Sequence, residues 1–331
     1  MKIVVLDDYQ RVARSYGPFE SLPDVKVEVL HEHITDPDEL AAALRGAEIV
    51  VAMRERTPFR GETFDRLPDL RLLVTTGMAN AAIDLVAAAS HGVTVCGTTM
   101  YGGSTKSSNT AELTWALILA VRRHVAAEDR ALREGRWQTT VGTDLAGSTL
   151  GILGLGRLGT QVARIGQAFD MHVIAWSENL TPERAAEAGA TWASKDELLA
   201  ASDVLTVHLK LSERTTGLVG AAELAAMKPS AVLINTSRGP IVDETALVGA
   251  LIAGTIAGAG LDVYDVEPLP LGNPLRGAPN TVLLPHVGYV TEGGYRTMYR
   301  QVVEDIEAWR TGAPVRVLTS RDAGRAPRSG S

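Results

Sequence analysis

Short apolar segments alternate with helical segments along most of the chain. In the first hundred residues the apolar runs that predict strands are 3–6, 25–30, 49–52, 72–75 and 93–95. Between them, segments such as 38–44 and 83–89 repeat apolar residues at helical spacing. Strands that alternate in this way with helices predict a parallel sheet with crossover helices.

A second series of strands begins at Leu150 and continues through 173–176, 204–208, 232–235, 259–263 and 282–284. The chain is therefore predicted to contain two α/β modules. Between them, residues 107–133 form one long helical pattern, and its middle, 113–121, is apolar on nearly every face. This predicts one buried helix that connects the modules or packs at a subunit contact.

The C-terminal part begins with an amphipathic helical pattern over residues 292–309. The following segment, 314–318, is predicted to return to the first module. Residues 321–331 are small, polar and aperiodic, which predicts a disordered tail.

Length and composition agree with two α/β domains. A chain of 331 residues exceeds the usual size of a single core. Its residues are 45% hydrophobic but only 5% aromatic, which fits α/β layers better than a β-sandwich.

Charge and cysteine content narrow the function classes. The net charge of −7 provides no basic surface, so we expect no binding of nucleic acid or of an anionic membrane. The only cysteine, Cys96, lies in an apolar run, which predicts a buried structural thiol and no metal centre. The acidic N-terminus does not look like a signal peptide, and no apolar run approaches a membrane span, so we expect a soluble cytoplasmic protein.

The most specific motif is the Gly-x-Gly-x-x-Gly turn formed by Gly154, Gly156 and Gly159. An apolar strand precedes it, and a helix and a second strand follow it. The glycines provide a tight turn, room for a pyrophosphate and close helix packing, and the helix N-terminus attracts the anion. We therefore predict a dinucleotide site that includes Arg157 and Leu158 at the start of the helix.

Three ionisable residues, Arg238, Glu267 and His286, each follow a predicted strand of the second module. Ligands of open parallel sheets bind at this edge. Taken singly, each also fits an ordinary role: a surface arginine at a turn, a solvated acidic loop and a structural histidine.

Together these three side chains match the chemistry of a 2-oxo acid. The planar guanidinium of Arg238 would bind the carboxylate and polarise the C2 carbonyl. His286 would give or take the proton as general acid/base, and Glu267 beside the ring would favour the protonated imidazole. A nicotinamide cofactor would carry the hydride.

Four ordered motifs carry a family resemblance: the Gly154–Gly159 turn, Asn-Thr-Ser-Arg-Gly at 235–239, Leu-Asp-Val-Tyr with Glu-Pro at 261–268, and Pro-His-Val-Gly at 285–288. With them the chain resembles the D-isomer-specific 2-hydroxyacid dehydrogenases up to about residue 310. The resemblance implies two doubly wound parallel-sheet domains. A Rossmann NAD-binding domain, 101–289, would be inserted into a flavodoxin-like substrate domain, 1–100 plus 290–320.

The resemblance also implies further site residues. Thr236 and Asp262 would lie beside the nicotinamide, followed by Gly288, and His208 and Thr215 would line the cofactor cleft. Backbone N–H groups around Met78 and Ala79 would hold the substrate, with Arg54 and Arg238 as further contacts. Relatives are usually homodimers, joined through the helix at 107–133.

The sequence departs from the family at the end of the second cofactor-domain strand. Ser177 stands where NAD-preferring relatives have an aspartate that binds the ribose. The next residue, Glu178, would repel the 2′-phosphate of NADP(H) or bind the ribose itself, so we predict NAD(H), with NADP(H) not excluded. Lys210 replaces a usual proline, and the loop 78–84 is longer than is common, so the resemblance does not identify the substrate.

Two other functions are compatible with the sequence. Arg238, together with Arg54 or Arg56, could instead bind a phosphite or phosphonate-type oxyanion on the same scaffold. A nicotinamide-sensing binding protein of corepressor type would keep the fold without turnover, but the acidic net charge offers no affinity for chromatin and nothing else in the sequence supports it. Glu267 argues against the formate-oxidising branch, which has no use for a proton-donating pair.

Overall fold

The computed structural model describes residues 1–99 and 109–319. The chain divides into two compact units, one of Met1–Ser107 with Val290–Ser331 and one of Ser108–Tyr289. The predicted tail, 321–331, lies outside the described residues.

The first unit contains a parallel sheet in the order β2-β1-β3-β4-β5. This is the flavodoxin-like order. Its strands are β1 (Lys2–Val5), β2 (Lys26–Val29), β3 (Ile49–Ala52), β4 (Leu72–Thr75) and β5 (Thr94–Gly97). Its helices are α1 (Ala13–Tyr16), α2 (Pro37–Ala43), α3 (Gly61–Asp65), α4 (Leu85–Ser90) and, after the second unit, α12 (Glu292–Arg310).

Local signals explain these elements. All four residues of β3 and of β4 are buried, as expected for central strands covered on both faces. Asp36 starts α2 by accepting from the backbone N–H groups of Asp38 and Glu39 at 2.8 and 2.9 Å. Asp84 caps α4 in the same way.

The C-terminal segment returns to this sheet, as predicted. Val317 bridges Cys96 in antiparallel fashion, and the N–H of Leu318 donates to the carbonyl of Val95 at 2.8 Å. The thiol of Cys96 is fully buried, and this burial raises its pKa to about 12. The prediction of a buried structural thiol is confirmed.

The second unit contains a parallel sheet in the order β12-β11-β10-β9-β6-β7-β8. Its strands are β6 (Thr149–Leu153), β7 (His172–Trp176), β8 (Thr191–Trp192), β9 (Val204–Val207), β10 (Val232–Asn235), β11 (Gly258–Leu261) and β12 (Thr281–Leu283). Its helices are α5 (Asn109–Arg122), α6 (Val125–Arg133), α7 (Arg157–Ala168), α8 (Pro182–Glu187), α9 (Lys195–Ala201), α10 (Ala221–Ala226) and α11 (Glu244–Ala253). Counted from β6, the order is that of a Rossmann fold, and the predicted fold class is confirmed.

Two hydrophobic clusters lie in the second unit. One joins α9, α10 and α11 to the sheet, and the other joins α5 and α7 to the sheet. Helices therefore supply apolar side chains to two separate cores around one sheet, as in a doubly wound domain.

The prediction of one continuous helix over 107–133 is wrong within the described residues. The helix ends at Arg122, His124 takes a left-handed conformation (φ 52°, ψ 34°), and α6 starts at Val125. The carbonyl of Arg122 accepts from the N–H of Thr143 at 3.0 Å, and this bond replaces the helical continuation. No glycine or proline marks the break in the sequence.

All the predicted strands are found within two residues of their expected bounds. One observed strand was not predicted: β8, a two-residue exposed edge strand that carries no apolar pattern. No helix in the described part of the chain is both long and apolar enough to cross a membrane.

His91 at the end of α4 gives a pH-dependent prediction. Its Nδ1 lies 2.8 Å from the carbonyl oxygen of Ala87, and its Nε2 lies 2.9 Å from Oδ1 of Asp65. These acceptors, the backbone carbonyl first, raise the pKa of His91 above its ordinary value. Its contribution to stability is therefore fully present below about pH 6.5 and is lost as the pH rises through the folded-state pKa.

We expect His91→Gln to lower Tm more at about pH 5.5 than at about pH 8.5, measured by thermal denaturation. His172→Gln, on an exposed part of β7, is the control and should give no such difference. Equal loss of Tm at both pH values for His91→Gln would contradict the prediction.

Candidate active site

The glycine turn after β6 has the geometry that its sequence predicts. Gly154 adopts φ +100°, and a Cβ at this position would lie 2.8 Å from the carbonyl carbon of His208. A Cβ on Gly159 would lie 2.2 Å from the carbonyl oxygen of Gly154. Both positions therefore require glycine, the first for the turn and the second for the packing of α7.

Gly156 differs from Gly154 and Gly159, because a side chain at this position would enter open space. Among the described residues, no heavy atom lies within 4 Å of the position that its Cβ would take. Gly156 directly precedes α7, so this open space lies beside a helix N-terminus. A helix N-terminus next to open space fits the pyrophosphate of a dinucleotide. Arg157, which is exposed, and Leu158, which is half-buried, begin the helix.

Ser177 and Glu178 directly follow β7, the neighbour of β6. The N–H of Gly154 donates to the carbonyl of Trp176 at 2.8 Å, so the ends of both strands are joined at the glycine turn. Ser177 is half-buried and Glu178 is exposed. The position is the one at which a Rossmann domain meets the adenosine ribose.

His208 and Thr215 lie on the loop after β9, on the other side of β6. The Nε2 of His208 lies 3.0 Å from Oγ1 of Thr206, and burial lowers the pKa of His208 to about 4, so the ring is neutral at physiological pH. The hydroxyl of Thr215 donates to the carbonyl of Lys210 at 2.7 Å and accepts from the N–H of Ser212 at 2.8 Å. Thr215 therefore holds the turn that carries the unusual Lys210.

Arg238 follows β10 on a loop held by a side-chain amide. Nδ2 of Asn235 donates to the carbonyl of Arg238 at 2.9 Å, and Oδ1 accepts from the N–H of Ser237 at 3.0 Å. Nη1 of Arg238 donates to the carbonyl of Ser237 at 2.7 Å. A Cβ on Gly239 would lie 2.0 Å from the carbonyl carbon of Tyr264, so glycine here allows the loops after β10 and β11 to touch.

Glu267 and His286, two of the predicted catalytic residues, are in direct contact through their side chains. Nδ1 of His286 lies 2.6 Å from Oε2 of Glu267, while Oε1 accepts from the N–H of Tyr264 at 3.0 Å. The side chains of His286 and Glu267 are 21% and 33% exposed. Because the carboxylate accepts at Nδ1, Nε2 is left as the ring nitrogen that can exchange a proton with a substrate.

Asp262 holds the backbone that follows His286. Its Oδ1 accepts from the N–H of Val287 and its Oδ2 from the N–H of Gly288, both at 2.8 Å. Burial of Asp262, which is 1% exposed, raises its pKa to about 6. Sequence reasoning placed Asp262 near the nicotinamide but missed this role, for which the only signal is an aspartate directly after a strand.

Gly288 and Thr236 are also held by hydrogen bonds within the second unit. The hydroxyl of Thr110 on α5 donates to the carbonyl of Gly288 at 3.1 Å. The buried hydroxyl of Thr236 lies 2.8 Å from that of Thr114, also on α5. One buried helix thus supports two of the loops that carry predicted site residues.

The structure groups most of the predicted site residues along one edge of the second sheet. The predicted catalytic residues follow the three neighbouring strands β10, β11 and β12. The predicted cofactor residues follow β6, β7, β9, β10, β11 and β12, except those at the start of α7. The predicted substrate residues of the first unit follow β3 and β4: Arg54, Met78, which packs on that unit's core, and Ala79, which is exposed.

Within residues 1–99 and 109–319, no group of three or more histidine, cysteine, aspartate or glutamate side chains is arranged to hold a metal ion.

Comparison with known proteins agrees with the geometry. Residues 115–288 match the family model of the D-isomer specific 2-hydroxyacid dehydrogenase, NAD binding domain. The chain is 39% identical to the glyoxylate reductase of Aeropyrum pernix over 270 residues, 79% of each chain. It is 36% identical to the glycerate dehydrogenase of Methylorubrum extorquens over 298 residues, 87% of this chain and 90% of the relative.

Among solved structures, the phosphoglycerate oxidoreductase of Vibrio cholerae O395 matches with a TM-score of 0.89 and 37% identity, over 95% of this chain and all of that one (100%). The matched domain binds NAD, and the glycine turn and the open helix N-terminus fit that cofactor. The chain belongs to the D-isomer specific 2-hydroxyacid dehydrogenase family and is an NAD-dependent enzyme.

Proposed function

We propose that this enzyme interconverts a small 2-oxo acid and its D-2-hydroxy acid, with Arg238, Glu267 and His286 as the catalytic residues. The observation that carries the proposal is the 2.6 Å contact between His286 and Glu267, in the same unit as the glycine turn. A proton-exchanging imidazole serves the reduction of a carbonyl group, because the oxygen of the product must receive a proton.

The three proposed catalytic residues have different roles. Arg238 binds the substrate carboxylate with its planar fork and polarises the C2 carbonyl. His286 gives its Nε2 proton to the carbonyl oxygen during reduction and takes it back during oxidation. Glu267 accepts the Nδ1–H bond, which orients the ring and stabilises its positive charge. NADH, when bound, supplies the hydride.

The substrate is proposed to be small. The named relatives act on glyoxylate, glycerate and phosphoglycerate, all of which are two- or three-carbon acids. We propose that the loop carrying Met78 and Ala79 takes part in substrate binding, with Arg54 holding that loop. In this proposal residues 1–100 with 290–320 form the substrate domain, and 101–289 form the NAD-binding domain.

We further propose a cytoplasmic homodimer. In the second unit, α6 and the residues after it expose large apolar side chains: Leu132 is 58% exposed, Trp137 75% and Val141 92%. The carboxylate of Glu128 accepts from the hydroxyls of Thr139 and Thr140 at 2.8 and 2.6 Å, which holds this apolar segment against α6. An ordered, exposed apolar segment of this kind supports a protein contact.

A substrate screen tests the proposed function directly. Oxidation of NADH is to be followed with glyoxylate, hydroxypyruvate, pyruvate, larger 2-oxo acids and phosphorylated analogues, with phosphite tested in the reverse direction. Turnover of a two- or three-carbon 2-oxo acid supports the proposal. Activity confined to phosphite, or no turnover with any of these compounds, would overturn it.

The first prediction from the proposed function concerns the cofactor. We expect kcat/KM to be at least about tenfold higher with NADH than with NADPH, because a carboxylate about 4 Å from a phosphate costs on the order of 1–4 kcal/mol. Replacement Glu178→Arg should narrow that ratio by improving NADPH use. Glu187→Arg, on the exposed end of α8, is the control and should leave the ratio unchanged. A preference of the parent enzyme for NADPH would contradict the assignment.

The second prediction concerns Arg238. Arg238→Lys keeps the charge but loses the planar fork, so kcat/KM for the 2-oxo acid should fall about 10- to 100-fold. NADH affinity, measured by quenching of protein fluorescence, should change little. The matched control is Arg184→Lys on the exposed surface of α8. Unchanged kinetics of Arg238→Lys would remove Arg238 from the mechanism.

The third prediction concerns Glu267. Glu267→Gln replaces the carboxylate by a neutral amide that stabilises the protonated ring of His286 less well. Turnover in the reducing direction should fall, because the ring that gives the proton is held less firmly. The measurement is kcat/KM for the 2-oxo acid, with Glu187→Gln as the control. A kcat/KM equal to that of the parent enzyme would refute the pairing.

A further inference from the structure

The side-chain amide of Asn80 has three hydrogen-bond partners in the first unit, two backbone groups and one side-chain hydroxyl. Its Nδ2 donates to the carbonyl of Arg54 at 2.6 Å and lies 2.8 Å from the hydroxyl of Thr75. Its Oδ1 accepts from the N–H of Ala82 at 2.8 Å. One half-buried amide thus links the loops after β3 and β4.

Arg54, the partner of this amide, has a left-handed backbone with φ 54°. Residues with a Cβ adopt this conformation rarely, and they keep it only where neighbouring groups hold it. The N–H of Arg54 donates to Oγ1 of Thr76 at 2.9 Å, while its carbonyl accepts from Asn80. Both backbone polar groups of Arg54 are therefore bonded to the loop after β4.

The guanidinium of Arg54 is directed at the same loop. Its Nη1 donates to the carbonyl of Thr76 at 3.1 Å, and its Nε lies 3.7 Å from Oε2 of Glu55. A Cβ on Gly77 would lie 2.4 Å from that Nη1, so the guanidinium covers the backbone of Gly77. The positively charged guanidinium of Arg54 therefore lies against the backbone of residues 76 and 77.

We propose that Asn80 and Arg54 are positioning residues that fix the backbone of residues 76–79 in the conformation that binds the substrate. The inference rests on the proposed function, which assigns substrate binding to this loop. Arg54 acts through the loop rather than by contact with the substrate. The hydrogen bonds of Asn80 keep the backbone of Arg54 in its left-handed conformation and hold the loop after β4 against Arg54.

The kinetic test is Asn80→Ala, measured as KM, kcat and NADH affinity of the intact enzyme. We expect KM for the 2-oxo acid to rise about 5- to 20-fold with less than about a threefold change in kcat. NADH affinity should stay within about twofold, because the cofactor residues lie in the other unit. Ala81→Ser, at the exposed neighbouring position, is the control. Unchanged KM in Asn80→Ala would overturn the proposal.

A double-mutant cycle separates positioning from direct contact. If Asn80 and Arg54 act through one network, Asn80→Ala combined with Arg54→Ala should raise KM no more than the larger single effect. If the two fold-changes multiply, Arg54 contacts the substrate independently and the proposal is wrong. Should Asn80→Ala fold poorly, Thr76→Val removes the acceptor of the Arg54 N–H with little change of shape and should raise KM in the same way.

Hydrogen exchange provides a readout that does not depend on activity. Asn80→Ala should speed amide exchange in peptides covering residues 54–57 and 76–82, with no change in the glycine turn at 149–160. If the parent enzyme turns over no 2-oxo acid but this local change is seen, the proposed function fails while the positioning role stands. If exchange in both loops equals that of the parent enzyme, the positioning role fails whatever the substrate.

Discussion

The geometry of the proposed catalytic residues depends on the hydrogen bonds that the buried carboxylate of Asp262 accepts. Moving an ionised carboxylate out of water is costly unless hydrogen bonds replace the lost solvation. Here two backbone N–H groups, those of Val287 and Gly288, each donate to one oxygen at 2.8 Å. The same two bonds fix the chain directly after His286, which has a left-handed backbone with φ 54°. The strained histidine is thereby held between the end of β12 and the Asp262 anchor, with its ring against Glu267.

Close approach of neighbouring loops is the second constraint, and it explains where the site requires glycine. The sheet brings the ends of β10 and β11 together, and the loops beyond them meet at Gly239, where a Cβ would overlap the carbonyl group of Tyr264. That same residue, Tyr264, donates its N–H to Glu267. The contact at Gly239 therefore joins the loop that presents Arg238 to the loop that orients the carboxylate partner of His286. A larger residue at 239 would displace both loops at once.

The sequence predicts those features that follow from periodicity or from a compact motif. The bounds of β3, β4 and β10 follow from continuous apolar runs, and the glycine turn follows from spacing alone. The break at His124 leaves no signal, because a tertiary hydrogen bond to the carbonyl of Arg122 ends the helix and no breaker residue is present. The anchoring role of Asp262 and the amide bonds of Asn80 were also missed. Both depend on partners distant in sequence or on loop conformation, which hydrophobic patterning does not encode.

The energetics of the Glu267–His286 pair indicate that it orients the imidazole ring more than it stabilises the fold. Its side chains are 21% and 33% exposed, so solvent screens the attraction and the pair adds little to the stability of the fold. Oε1 of Glu267 also accepts from the backbone N–H of the buried Tyr264 at 3.0 Å, so the carboxylate is held on both oxygens. A fixed acceptor of this kind keeps the Nδ1–H bond of His286 along one line and leaves Nε2 facing one way, which mobile water would not do. A partly exposed carboxylate that contributes orientation rather than stability fits the proposed role of Glu267 beside the proton-exchanging ring. Asp262, fully buried, provides the rigid backbone against which that orientation is defined.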